Sequence, residues 1–124
     1  MSFNLDEAGM PVGHAIDPAW EVTPRTAAER FARKEVRLID CRTEPEREIA
    51  SIEGALFAPI HQLSSHIEQL REFEEEELIV FCHHGVRSRQ MVAALREEGF
   101  EQVYSMAGGI DLWSHAVDES TPTY

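Results

Sequence analysis

At 124 residues and 43% apolar content, the chain has room for one globular domain with a proper core and none for a second catalytic domain. Its net charge of −12 argues against nucleic acid and anionic membrane surfaces as partners, because a phosphate backbone is bound chiefly through Lys and Arg. Its two cysteines, Cys41 and Cys82, lack metal-pair spacing. With no basic, apolar leader and no run of about 18 apolar residues, the chain is expected in a reducing cytoplasm, without signal peptide or membrane span.

Residues 1–19 mix Gly9, Pro11, Gly13 and Pro18 with little periodicity, the composition of an arm lying on a single domain at 20–124. His14 within it is expected to be exposed and without a partner. Residues 20–22 read as a short edge strand. Thr23 and Pro24 then form an N-cap and first helical residue ahead of an apolar face of Ala27, Ala28 and Phe31. Residues 36–40 are a second strand; 44–55 a short helix and turn; and 56–57 a further strand. Leu63, Ile67, Leu70 and Phe73 follow helical spacing and read as core, and Glu74 to Glu77 are expected to continue that helix as a solvated acidic run. His61 and His66 are read as surface residues, since zinc pairs on a helix favour the i, i+4 spacing they miss.

Residues 78–81 are continuously apolar, as in a strand buried on both faces of a parallel sheet, and they end on Cys82. A polar loop follows, then a helix over 88–98 with Met91, Val92 and Leu95 on one face and Gly99 placed to end it. Residues 102–106 are the last strand, Gly108 and Gly109 permit a sharp turn into a short helix at 110–113, and the tail at 114–124 has no assignable work. This alternation predicts a compact α/β domain around a largely parallel sheet of four or five strands, with helices on both faces.

A strand, tight loop and helix make an anion-binding concavity in which loop and first-turn N–H groups converge beside the Cys82 sulfur. A free thiol with a pKa of about 8.5 needs roughly 2.7 kcal/mol to become an efficient thiolate, and a helix terminus supplies only about 0.3–1 kcal/mol. The remainder is assigned to the loop N–H donors and the Arg87 cation, with His83 and His84 adding charge at acid pH. A buried, inert cysteine is the competing reading; the Gly-containing polar loop with arginine favours a reactive one.

The run CHHGVRS at 82–88, followed by GF at 99–100 and GGIDLW at 108–113, closely resembles the single-domain rhodanese-like sulfurtransferases, over about residues 22–113. The resemblance implies a three-layer rhodanese-like domain in which Cys82 accepts a sulfane sulfur from thiosulfate or a persulfide. It carries that sulfur as its own persulfide and passes it to a thiol, cyanide or protein acceptor, with no cofactor or metal. Cys82 is the nucleophile, the loop from His83 through His84, Gly85 and Val86 to Ser88 contacts the sulfur, and Arg87 orients the donor. Asp40 and Arg42 resemble the family's Asp-x-Arg; Arg42 either helps bind an anion or forms a structural network with Asp40. Cys41 stands where the family has a small apolar residue and is read as a packed thiol, the alternative being a resolving one. Arg47, Ala50 and Ser51 depart from the family's letters, and Trp113 is a pocket-mouth or a core residue. Two other classes stay open. Cysteine-dependent phosphatases or arsenate reductases share the fold with a loop one residue longer, wide enough for a tetrahedral oxyanion, and a non-catalytic protein-binding module would use the scaffold alone.

Overall fold

The computed structural model describes residues 4–124 and builds one five-stranded sheet in the order β1-β5-β4-β2-β3, every neighbouring pair parallel. The strands are β1 (Glu21–Val22), β2 (Val36–Asp40), β3 (Leu56–Phe57), β4 (Glu77–Phe81) and β5 (Val103–Met106). Helices α1 (Pro24–Ala32), α2 (Glu44–Ile49), α3 (Leu63–Leu70), α4 (Val86–Glu97) and α5 (Gly109–Ala116) connect and cover them. Parallel strands need crossovers of this kind, which is why apolar runs and amphipathic helices alternate along the chain.

Period-two alternation within the strands feeds two cores. On one face Ile39, Leu78, Val80 and Val103 pack with Met91, Val92 and Leu95 of α4, and Leu63, Ile67 and Phe73 lie partly buried against them. On the other, Leu38, Ile79, Phe81 and Met106 meet Ala27 of α1, and Ile110 and Trp113 of α5, so Trp113 is a core residue. Thr23 caps α1, its hydroxyl accepting from the Thr26 N–H at 3.1 Å, with Pro24 in the first turn. Residues of the arm close an antiparallel bridge between Leu5 and Pro11, and Met10 is buried against Ala107 and Leu112. His14 is exposed and borders a small cleft with His84 and Asp111.

Three segments differ from the sequence reading. The acidic run does not prolong the helix: α3 stops at Leu70, a 3-10 turn covers Arg71–Phe73, and Glu77 opens β4. Charge pairing draws it out, Glu76 accepting from Arg37 at 2.9 Å and Glu77 pairing with Arg30. Helix α4 begins at Val86 instead of residue 88, and α5 runs on to Ala116. The tail beyond it is anchored, the Ser114 hydroxyl donating to the Thr121 carbonyl at 2.6 Å.

The strand ends are tied by Arg42, whose side chain is 0% exposed. Its Nε and Nη2 donate to the two Asp40 oxygens at 2.9 and 2.8 Å, Nη2 also to Ala50 O at 2.6 Å, and Nη1 to Glu46 O at 3.4 Å and the Tyr124 hydroxyl at 2.9 Å. Every N–H of the guanidinium is engaged within the fold, so Arg42 has no donor left for a substrate anion. Replacing it leaves the Asp40 carboxylate buried without its cation, with only the residue-42 backbone N–H still donating to it at 3.0 Å. Arg42→Met is expected to lose about 3–5 kcal/mol of stability, measured by urea unfolding, and a midpoint unchanged from the parent would deny it this structural role.

Candidate active site

The last residue of β4 hands the chain to Cys82, which is 1% exposed, at the carboxyl edge where ligands of open α/β sheets collect. The Gly85 N–H donates to its Sγ at 3.0 Å and the Ser88 N–H at 3.4 Å, while the Ser88 hydroxyl lies 3.4 Å away. Ser88 is the third residue of α4, so its amide is one of the first-turn N–H groups that no helical carbonyl takes. The Ser88 and Ser105 hydroxyls, both fully buried, stand 2.7 Å apart, so Ser105 of β5 can donate to Ser88 while Ser88 donates to the sulfur.

These donors hold the Cys82 thiol down from an ordinary 9.0 to about 5. The neighbouring Cys41 thiol weighs most; burial works in the opposite direction, and the Ser88 hydroxyl, the Ser88 amide and the Gly85 amide add to the lowering. Such a displacement represents roughly 5 kcal/mol in favour of the thiolate, the scale of a few charge-assisted hydrogen bonds at about 1.5–3 kcal/mol each. At neutral pH the sulfur is therefore an anion, although no cation touches it among the contacts of the described residues.

The loop is shaped from beneath by α5. The Ile110 N–H donates to Cys82 O at 2.9 Å and the Asp111 N–H to His83 O at 3.1 Å, which turns both carbonyls away from the sulfur. Gly109 permits this approach, because a Cβ on it would lie 2.3 Å from His83 O and 2.5 Å from Cys82 O. Gly85, with φ of 107°, turns the chain into α4 and aims its amide inward.

Around the rim, Arg87 makes a two-pronged ion pair with Glu46, Nη1 to Oε1 at 2.6 Å and Nη2 to Oε2 at 2.8 Å. Arg87, together with Tyr124 and Thr43, holds the Glu46 carboxyl well below the usual carboxylate range. The Arg87 cation is thus paired with a carboxylate and acts on Cys82 through its field, without a contact, while the larger influences are neutral groups. Tyr124 closes the rim: its hydroxyl donates to Glu46 Oε2 at 2.7 Å and its ring stacks on His83 at 3.9 Å, nearly parallel at 8°. Burial, and the same bond to Glu46, push the Tyr124 hydroxyl up to about 12. His83 stacks on its other side against His84 at 3.8 Å, and its Nε2 is the one buried side-chain nitrogen or oxygen among the described residues with no hydrogen-bond partner. Burial and neighbouring His84 keep the His83 pKa low, so it is neutral near pH 7. His84 is largely exposed, with Nε2 3.8 Å from an Asp111 oxygen, and Val86 is exposed at the start of α4.

The structure thus brings Cys82, His83, Gly85 and Ser88 together, places His84, Val86 and Arg87 at the rim, and sets Arg42 behind it. Sequence reasoning missed Glu46, Ser105, Tyr124 and the close role of Cys41. Glu46 had a signal: Thr43 and Glu46 stand at capping-box spacing, and the Thr43 N–H donates to Glu46 Oε1 at 3.2 Å. As possible metal ligands, His83, His84 and Asp111 offer atoms within 4.8 Å of one another, a looser set than the roughly 3.4 Å between donors on one tetrahedral zinc at about 2.1 Å each.

Residues 23–116 match the model of the rhodanese-like domain family. The chain is 35% identical over 107 residues to the thiosulfate sulfurtransferase GlpE of Haemophilus influenzae, covering 86% of this chain and 99% of that one. It is 38% identical over 92 residues to a chloroplastic rhodanese-like/PpiC domain-containing protein of Arabidopsis thaliana, covering 73% of this chain but only 31% of that protein. A rhodanese-related protein of Thermoplasma volcanium superimposes with a TM-score of 0.70 at 25% identity, over 83% of this chain and 95% of that one. Fold, loop and relatives agree, and the chain belongs to the rhodanese-like family.

Proposed function

We propose that the protein is a sulfurtransferase that moves sulfane sulfur from an anionic donor such as thiosulfate, or from a persulfide, through Cys82 to a thiol or cyanide. The observation that carries this reading is a buried sulfur anion ringed by the Gly85 and Ser88 donors. A persulfide needs that environment, and its formation needs no general base when the thiolate is already present.

In the first half-reaction the Cys82 thiolate attacks the outer sulfur of the donor, whose S–S bond breaks and whose electron pair leaves with sulfite or a thiol. The loop donors then accommodate the charge that has moved one sulfur outward. In the second, the acceptor attacks that outer sulfur, and Cys82 recovers the electron pair as thiolate. Arg87 orients the donor by exchanging one of its bonds to Glu46 for a donor oxygen, a trade between two anions that keeps the guanidinium paired throughout. The unpartnered His83 Nε2 and exposed His84 supply polar contacts at the mouth, and Val86 an apolar one. Two free cysteines within one fold suit a reducing, cytoplasmic setting, and the short loop favours a single sulfur over a phosphoryl group.

Intact-mass spectrometry of the reduced protein tests the reading. Thiosulfate is expected to add about 32 Da to the native chain, removable by cyanide, and nothing to Cys82→Ala. Absence of the adduct with thiosulfate and with a low-molecular-weight persulfide would sink it. A thiol held near 5 is protonated below that pH and anionic above it, so iodoacetamide alkylation of Cys82 is expected to rise through about pH 5 and level off by neutrality. In Ser88→Ala the midpoint moves upward by about 1 pH unit, because a donor to the charged form is lost; a downward or absent shift would contradict this assignment.

A further inference from the structure

The two cysteines occupy equivalent places on neighbouring strands. Asp40 and Phe81 are register partners in the parallel β2–β4 pair, so Cys41 and Cys82 come next on each strand, and the Cys41 N–H extends the ladder by donating to Phe81 O at 3.1 Å. Ile39, Cys41, Val80 and Cys82 all enter the same core, placing both thiols on one face of the sheet. Neighbouring strands set such partners about 4.8 Å apart, within the span of about 4.4–6.8 Å that a disulfide bridges between Cα atoms. Both cysteines are free and both are buried in that one core. Forming a bond between them asks for no movement of the backbone from one element to another.

We infer that Cys41 is a resolving thiol, which gives the protein a second outcome: release of hydrosulfide when no acceptor arrives. This rests on the sulfur-loading reading above. Cys41 attacks the Cys82 Sγ of the persulfide, a Cys41–Cys82 bond forms, and the bond from Sγ to the sulfane sulfur breaks. The sulfane sulfur leaves with that electron pair and takes up the proton that Cys41 loses, so one persulfide and one thiol become one disulfide and one hydrosulfide. The sulfane sulfur is reduced and the two cysteines are oxidised. A dithiol protein or small dithiol then returns two electrons and restores both thiols. The neighbouring Cys82 sulfur and burial push the Cys41 thiol up and so keep it protonated, which slows its attack relative to an incoming thiolate. Outward transfer therefore wins while an acceptor is present, and internal resolution drains the loaded enzyme when it is not.

The test uses the full chain, reduced, desalted and loaded with thiosulfate or with a low-molecular-weight persulfide in the absence of thiol acceptor. Intact mass and free sulfide are followed over time for the native protein, Cys41→Ala and the bulkier apolar Cys41→Val. The native protein is expected to gain about 32 Da and then pass to a species about 2 Da lighter than the dithiol, releasing about one equivalent of sulfide. A proteolytic digest is expected to yield the linked Cys41 and Cys82 peptides, a readout that depends on no variant. Because Cys41 also lowers the Cys82 thiol, both variants are loaded at alkaline pH, where Cys82 ionises without that help, and the sulfur they take up is expected to stay. A native adduct that persists as long as that of the variants, with no sulfide and no linked peptide, would overturn the inference and leave the transfer reading standing. No adduct on any of the three proteins would overturn both.

Discussion

The site depends on keeping a negative sulfur inside an apolar core. Burial alone drives a thiol toward its neutral form, so each donor on Cys82 has to offset the loss of water, and the balance is won by groups that carry no formal charge. The neighbouring Cys41 thiol, the backbone amides of Gly85 and Ser88 and the Ser88 hydroxyl do this work, with Ser105 supporting Ser88. Because these donors are fixed by the fold, they do not wander with ionic strength as a surface cation does. The formal cations, Arg87 and Arg42, are spent elsewhere: one on Glu46 at the rim, the other on Asp40 within the fold.

That division of labour eases the conflict between a chain of net charge −12 and the anionic sulfur donor proposed for it. Glu46 masks Arg87 but also stations it at the opening, and Tyr124 holds Glu46 in place from the other side. The rim is consequently one connected network running from Arg42 through Tyr124 and Glu46 to Arg87. Behind the loop, the amides at the start of α5 hold the carbonyls of Cys82 and His83, so the last helix fixes the direction in which the loop's own amides face.

The framework was legible wherever periodicity or capping chemistry was strong. The strand candidate at 36–40 and the unbroken apolar run at 78–81 became β2 and β4, Thr23 and Pro24 opened α1, and the polar loop after Cys82 formed the anion concavity. Legibility failed where a residue's partner lies far along the chain. Nothing local marks Tyr124 as a neighbour of His83, or Ser105 as a neighbour of Ser88, since both contacts exist only because β5 and the tail fold back beside β4. Glu77 was misplaced because charge suggested solvent, whereas its strand position is decided by an arginine on another element. The letters of the Cys82 loop pointed to its amides and to Arg87 together; the amides do face the sulfur, whereas the pairing of Arg87 with Glu46 depends on a residue 41 positions away.

The strand order also governs when the nucleophile comes into being. The first strand of the sheet pairs with the last, β1 with β5, and the sulfur's donors come from the Cys82 loop and α4, with Ser105 of β5 supporting Ser88 from behind. A sheet built from such distant pairings assembles late and cooperatively, after the entropy of closing long loops has been met. Until it does, Cys82 is an ordinary protonated thiol, slow to react with peroxides, metals or other thiols. Its reactivity is thus a product of completed folding, and a nascent or partly unfolded chain is shielded from misplaced thiolate reactions by the lack of the very fold that makes the thiolate.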